Sequence, residues 1–534
     1  MLYSSPYWLH LWSPSSQSCF SNWTGNCSVQ RSCAAKRIRS YEPSRGQSPH
    51  TIYSRRAMSV DSTVQNSHEA FLTARDARLA VRAGWLDVVG DALEQHRNDL
   101  VDVARRETHL PEKRLHGELT RTVFQLRLLG EEVREGTFLG ATIDHQDPNW
   151  GMGPRPDIRR VNVPVGVVAV FGASNFPFAF SVAGGDTASA LAAGCSVVHK
   201  IHGGHERLGV LTAEVVGSAL AIAGAPPNLL SVVTGREAGI GLVEHPLVKA
   251  VGFTGSVHGG RALFDRAVSR PEPIPFFGEL GSINPAIITE AAWKNRPDVI
   301  ADGFISSLTL GVGQFCTKPG LLFVHSSVVE EIKQALGARL DSSNLSDKML
   351  NERIHSGFLA SRGDVARLTG VETVAPGNDN DPPAPAVFAT SGKNAAKTSA
   401  VLETEMFGPA AVVIDYDDHD ELVGLIHALP GQLTGTIHSE ENEDIRSLVQ
   451  ALGSRCGRLL RNGWPTGVTV SYAQTHGGPY PATTASGSTS VGTSAIERFV
   501  RPVSYQDFDD HELPESLRES NPLNVRRRVD GEWS

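Results

Sequence analysis

Val167-Val168-Ala169-Val170-Phe171-Gly172-Ala173-Ser174-Asn175-Phe176-Pro177 is the stretch that decides the architecture. Its five apolar residues run without a polar break and stop at small residues. That is the pattern of a strand buried on both faces and turning towards a helix. Small-residue helix signals follow through Ala193, then a short strand candidate at Ser196–His199. Leu208–Ala223 reads as helix, Leu229–Val233 as strand, Val248–Phe253 as strand and Arg261–Ser269 as helix. Alternation at this spacing predicts an α/β fold with a parallel, helix-covered sheet.

Upstream, residues 68–133 carry apolar positions at helical spacing, as in Trp85, Val88, Val89, Ala92 and Leu93. A Gly/Pro/Asp-rich connector spans Gly136–Asp157. Downstream, a second α/β stretch runs from Ile283 to about Ser471. Thr475–Ser494, rich in Gly, Thr and Ser, reads as loop, and Asn378–Pro385 as a surface loop.

The chain has 534 residues, 40% of them hydrophobic and 20% charged, which predicts a globular protein of two or three domains. A net charge of −9 without a dense basic run argues against a nucleic-acid partner. No apolar run reaches the roughly 18 residues needed to span a bilayer. The cysteines, Cys19, Cys27, Cys33, Cys195, Cys316 and Cys456, form no CxxC pair, so a structural zinc site is not indicated. His202 and His205 have HxxH spacing but no third ligand in view, and no metal is expected. The leader 1–58 holds seven basic residues and one acid. It resembles a mitochondrial transit peptide, the alternative being that Met58 is the start. Localisation is accordingly cytoplasmic or mitochondrial.

Open α/β sheets bind ligands at the carboxyl ends of their strands. There lie Asn175, Lys200, Thr234-Gly235 and Gly255-Ser256, with Gly260 shortly after. Small residues at strand-to-helix turns let a backbone approach a phosphate. Each glycine alone could be a plain turn, and no GxGxxG fingerprint is present. Cys316, in Gly311-Val312-Gly313-Gln314-Phe315-Cys316-Thr317, is open enough for a nucleophile, although taken alone it reads rather as a buried structural cysteine. Glu279, in Phe277-Gly278-Glu279-Leu280-Gly281, sits among apolar residues that would raise its pKa and suit it to general-base work. Its bland alternative is a surface acid.

Taken in order, Asn175-Phe176-Pro177, Lys200, Phe253-Thr254-Gly255-Ser256, Glu279-Leu280-Gly281, Gly313-Gln314-Phe315-Cys316 and Glu405-Met406-Phe407-Gly408-Pro409 resemble the aldehyde dehydrogenase superfamily. A closer resemblance, carried by Val170–Pro177, Phe180–Ala193, Arg261–Asp265, Leu308–Gly320 and the tail 521–531, is to the 2-oxoglutarate semialdehyde (2,5-dioxopentanoate) dehydrogenase branch and its NADP-dependent fatty aldehyde neighbours. The resemblance implies an aldehyde dehydrogenase fold. Residues 66–140 and 161–281 would form a Rossmann-like cofactor domain and 282–478 the catalytic domain. Residues 141–160 and 488–502 would form a β oligomerisation arm, leaving 503–534 as a tail. It implies Cys316 as nucleophile, Asn175 as oxyanion donor and Glu279 as base. Lys200, Thr234, Gly235, Gly255, Ser256, Gly260, Glu405 and Phe407 would hold NADP or NAD, in a homodimer or homotetramer.

Three departures stand out. Gly203 occupies the place where NAD-preferring relatives carry a ribose-binding Glu, which predicts acceptance of NADP. Ser282 replaces a glycine. Lys318 stands where Asn is frequent, and would lower the thiol pKa, read an acidic substrate or be simply solvated. Arg121 and Gln125, four residues apart on one helix, would face the aldehyde tunnel and read a distal carboxylate, the alternative for Arg121 being a surface ion pair. Competing functions are a fatty or general aliphatic aldehyde enzyme, a non-catalytic structural protein, and a cysteine hydrolase, which needs a histidine partner that the sequence does not make obvious.

Overall fold

A computed structural model describes residues 59–341 and 345–534; the leader 1–58, with its competing readings, lies outside the described residues. The predicted parallel sheet is present. Its strands run Leu230–Val233, Ser196–Lys200, Val167–Phe171, Val248–Thr254 and Phe276–Glu279 in spatial order, all parallel. Val167–Phe171 lies at the centre with every residue buried. That explains its uninterrupted apolar run, since helices cover both faces of such a sheet. Burying each Val side chain there contributes roughly 1.5–3 kcal/mol.

The second sheet has seven strands, in the order Glu372–Pro376, Ala386–Ser391, Ala410–Tyr416, Leu321–His325, Pro285–Ile288, Gln432–His438 and Cys456–Arg461. Only the first pairs antiparallel.

The amino-terminal region is helical, as expected, but its first helix begins at Val60 rather than at about His68. It comprises four helices, Val60–Ala74, Leu79–Gln95, Arg97–Thr108 and Glu112–Glu135. The last ends at Gly136, whose φ of 70° satisfies the left-handed cap that glycine adopts without a Cβ penalty. This helix buries Leu115, Leu119, Val123 and Leu126 in the main core. Arg114, Glu118 and Arg121 project from it towards the turn after Val167–Phe171 and towards Cys316.

The segments assigned to the arm contribute strands whose bounds differ from those read in the sequence. Ile158–Pro164 continues four residues beyond 160 and pairs antiparallel with Val500–Gln506. Residues 493–499, assigned to the arm from sequence, are 3-10 helix. The tail is not separate. Arg528–Val529 pairs parallel with Thr142–Asp144, and Glu532–Trp533 adds a fifth strand. Two-residue strands fall below what hydrophobic alternation can signal. Among the described residues no helix is long and apolar enough to cross a membrane.

Candidate active site

The nucleophile turn follows the helix Pro297–Thr309. Gly311, Val312 and Gly313 all have positive φ, at 57°, 57° and 67°. For the β-branched Val312 that conformation stores about 1–3 kcal/mol, which the surrounding packing must hold. Asn284 does part of this. It is fully buried, and its Nδ2 donates to the carbonyls of Cys316 (2.8 Å) and Lys318 (2.9 Å). The Cys316 backbone N–H has no partner among the described residues and stays available. Ser282, in place of the usual glycine, donates to Asn284 Oδ1 at 2.8 Å and accepts from Leu433 N at 2.9 Å. It therefore ties the turn to the seven-stranded sheet.

Cys316 Sγ lies 3.7 Å from His476 Nε2, and that nitrogen lies 2.9 Å from Glu279 Oε1. The reactive atoms of all three residues fall within 4.8 Å of one another. Ser490 Oγ donates to Glu279 Oε2 at 2.7 Å. Burial first, then the charges of Glu279 and Glu405, push the thiol well above its usual range. Cys316 is therefore neutral at rest and needs a base. Burial also pushes Glu279 upward, but the charge and hydrogen bond of His476 and the Ser490 hydroxyl outweigh it, leaving the carboxyl below the usual range. This corrects the expectation of a raised pKa. Apolar neighbours in sequence say nothing of a histidine brought in from residue 476. That residue was missed because it sits in a Gly/Thr/Ser-rich loop, held by Thr489 Oγ1 accepting from its N–H at 2.9 Å.

Asn175 is buried beside this cluster, and its Nδ2 donates to the Gln314 carbonyl at 3.0 Å, two residues from Cys316. The structure also brings Arg121 here. Its Nε donates to the Val468 carbonyl at 3.3 Å, and its guanidinium stacks 5.4 Å from the Phe180 ring, itself 6.2 Å from His476. Both terminal nitrogens of Arg121 are buried without a hydrogen-bond partner. Gln125 does not join them. One helical turn on, it packs against Gly185, with Thr122, Ala179 and Gly184 beside it. Lys318 is neither solvated nor aimed at Cys316. Its Nζ donates to the carbonyls of Met406 (3.0 Å) and Ala410 (2.5 Å), and burial lowers its pKa to about 8. His202 and His205 are committed to backbone groups, Gly204 N at 3.0 Å and the Ala173 carbonyl at 3.0 Å.

The residues expected to hold a dinucleotide line the carboxyl edge of the five-stranded sheet. Ser256 caps the helix Val257–Val268, accepting from Gly259 N at 3.3 Å, so the positive helix end faces that edge. A Cβ on Gly260 would lie 2.1 Å from Leu280, and one on Gly255 would lie 2.9 Å from the Phe253 ring. Side chains are thus excluded where a phosphate would approach. Lys200, at the end of its strand, makes no ion pair among the described residues. Thr234 and Gly235 are exposed beyond Leu230–Val233, with Gly235 leading into the helix Arg236–Glu244. Glu405 lies against Gly281, where a Cβ would come within 2.6 Å of its Oε2, and Phe407 is half-buried. Burial raises Glu405 to about 7, with Lys318 opposing. A helix end, an unpartnered lysine and a carboxylate spread along one edge fit a dinucleotide.

A parallel sheet whose carboxyl edge fits a dinucleotide, with a thiol and a carboxylate within reach of each other in the turn before Leu321–His325, has the makings of a cofactor-dependent oxidoreductase. Residues 30–501 match the aldehyde dehydrogenase family, and the chain belongs to it. It is an aldehyde dehydrogenase that uses a nicotinamide cofactor. It is 43% identical over 506 residues to alpha-ketoglutaric semialdehyde dehydrogenase 2 of Azospirillum brasilense, covering 93% of this chain and 96% of that one. It is 42% identical over 480 residues to the alpha-ketoglutaric semialdehyde dehydrogenase of Acinetobacter baylyi, covering 88% and 91%. Among solved structures, betaine aldehyde dehydrogenase of Staphylococcus aureus in complex with NAD+ superposes with a TM-score of 0.71 at 19% identity, covering 84% of this chain and 89% of that one. Glyceraldehyde-3-phosphate dehydrogenase of Methanocaldococcus jannaschii complexed with NADP gives 0.71 at 18% identity, covering 84% and 95%. At those identities the structures speak for the fold.

Proposed function

We propose that this enzyme oxidises 2,5-dioxopentanoate to 2-oxoglutarate and accepts NADP at least as well as NAD. The observation that carries the substrate is Arg121. A buried guanidinium with two unpartnered terminal nitrogens is costly until an anion fills it. Its planar fork matches a carboxylate. The two relatives at 42–43% identity bear the name of the same oxo-acid aldehyde. A fatty aldehyde would bring only methylenes to that cation.

The steps follow from the cluster. The neutral Cys316 thiol gives its proton to the Glu279 carboxylate as the sulfur attacks the aldehyde carbon, and Glu279 releases that proton to solvent before the thioester is hydrolysed. Asn175 Nδ2 and the Cys316 N–H donate to the developing oxyanion, each contributing about 3–4 kcal/mol. A nicotinamide held at the carboxyl edge of the five-stranded sheet would supply the acceptor for the hydride that leaves this carbon. Cys316 then carries a thioester. Glu279, held by Ser490 and His476, removes a proton from water, which attacks the thioester carbon, and sulfur departs as the carboxylic acid forms. Lys200 and Glu405 would hold the two ribose units. At Gly203 no protein atom lies within 4 Å of a would-be Cβ, so neither carboxylate nor bulk opposes a 2′-phosphate. Residues 142–164 and 500–506 would pair with a second copy of the chain.

The test is NAD(P)H absorbance with purified protein, 2,5-dioxopentanoate, a fatty aldehyde and both cofactors. Reduction must vanish in Cys316→Ser. Turnover in that variant, or a preference for the fatty aldehyde, overturns the proposal.

A further inference from the structure

Arg114 plays no part in the chemistry above, yet it contacts both sides of the oxyanion site. Its Nη2 donates to the backbone carbonyl of Asn175 at 2.5 Å. Its guanidinium lies 5.2 Å from the ring of Phe176 and 4.7 Å from that of Phe315, which themselves meet edge-on at 5.3 Å. Phe176 follows Asn175, and Phe315 precedes Cys316. One cation thus grips the neighbours of both oxyanion donors, although these lie 141 positions apart in the chain. No carboxylate pairs with it at salt-bridge distance among the described residues. Its Nη1 is buried without a partner, packed where a Cβ on Gly311 would lie 2.8 Å away. A cation–π contact strengthens when it is taken out of water. The guanidinium plane can satisfy two rings and a carbonyl at once; a lysine ammonium cannot. The same helix reinforces the arrangement one turn on. Glu118 Oε1 accepts from the N–H groups of Phe178 and Ala179 at 2.8 and 2.9 Å, anchoring the far end of the Asn175 loop.

We infer that Arg114 is a positioning residue for the oxyanion site, setting the Asn175 amide and the Cys316 N–H at their working separation. This rests on the reading that those two groups receive the oxyanion. Oxyanion donors act only when they are aimed before charge develops, so displacement by a fraction of an ångström lowers turnover while leaving binding intact.

The experiment compares Arg114→Met, Arg114→Lys, Asn175→Ala and the double variant Arg114→Met/Asn175→Ala in the full chain. Turnover, cofactor affinity by fluorescence quenching and the rate of Cys316 alkylation by iodoacetamide are measured for each. Arg114→Met should lose about 10- to 100-fold in kcat, less than the 10²–10³ expected for deleting a donor outright. Cofactor affinity and alkylation rate should stay within about threefold, and Arg114→Lys should not restore turnover. The double variant should lose less than the product of the two single losses, because the part of the Arg114 effect that acts through Asn175 is already gone. Full activity in Arg114→Met, multiplicative losses in the double variant, or a parallel collapse of cofactor binding and alkylation each overturn the inference. If Asn175→Ala itself retains turnover, the oxyanion reading fails instead.

Discussion

Replacing Arg121 with Met removes a buried charge while keeping an apolar stem of similar length. In the resting protein the guanidinium is bonded only through Nε, leaving the two terminal nitrogens for a ligand. Each charge-assisted hydrogen bond contributes about 1.5–3 kcal/mol, and deleting one partner of a buried charge pair costs about 2–5 kcal/mol. At about 1.4 kcal/mol per decade, kcat/KM for 2,5-dioxopentanoate should fall by roughly 30- to 3,000-fold. An uncharged aldehyde of the same length, pentanal, gains nothing from the cation and should keep its kcat/KM within about threefold. The ratio of the two substrates in one variant is the decisive quantity, because misfolding or displacement of Val468 lowers both alike. Initial rates of NAD(P)H formation supply it. Equal losses for the two aldehydes, or an unchanged KM for the oxo-acid, would refute the assignment of Arg121.

Three other outcomes follow. His476→Gln removes the strongest influence opposing burial at Glu279, from a residue 3.7 Å from the Cys316 thiol. Turnover should drop by about 10²–10⁴, and the acid limb of the pH–rate profile should move to higher pH as the Glu279 pKa rises. Glu405, raised by burial to about 7, is protonated below that pH in the free enzyme and loses acceptor capacity. KM for the cofactor should therefore climb as pH falls through 7, while KM for the aldehyde follows it less. Gly203→Glu places a carboxylate in open space. It should shift the NADP/NAD ratio of kcat/KM towards NAD by about tenfold or more through charge repulsion, read from steady-state kinetics.

Much of the cofactor half was legible before any coordinates. Val167–Phe171 is buried on both faces, so every residue had to be apolar, and the pattern survives in one dimension. Cys316, Glu279 and Asn175 were picked out by the ordered family motifs around them; taken alone, the thiol reads as a buried structural cysteine and the acid as a surface one. Lys318 was misread because its partners, the carbonyls of Met406 and Ala410, are backbone atoms nearly ninety residues away and carry no side-chain signature. Arg121 and Gln125 share a helix face, but one turn carries them to different neighbours, Phe180 for the first and Gly185 for the second.

Local pattern determined the strands, the helices and the identity of the groups able to do chemistry, because burial periodicity and turn composition are properties of neighbours in the chain. Tertiary packing alone decided which histidine meets the thiol, why Glu279 titrates low rather than high, and which arginine is left wanting an anion. Electrostatic influence falls off over a few ångströms of space and takes no account of sequence separation, so those answers came only when residues 121, 279, 316 and 476 were brought together.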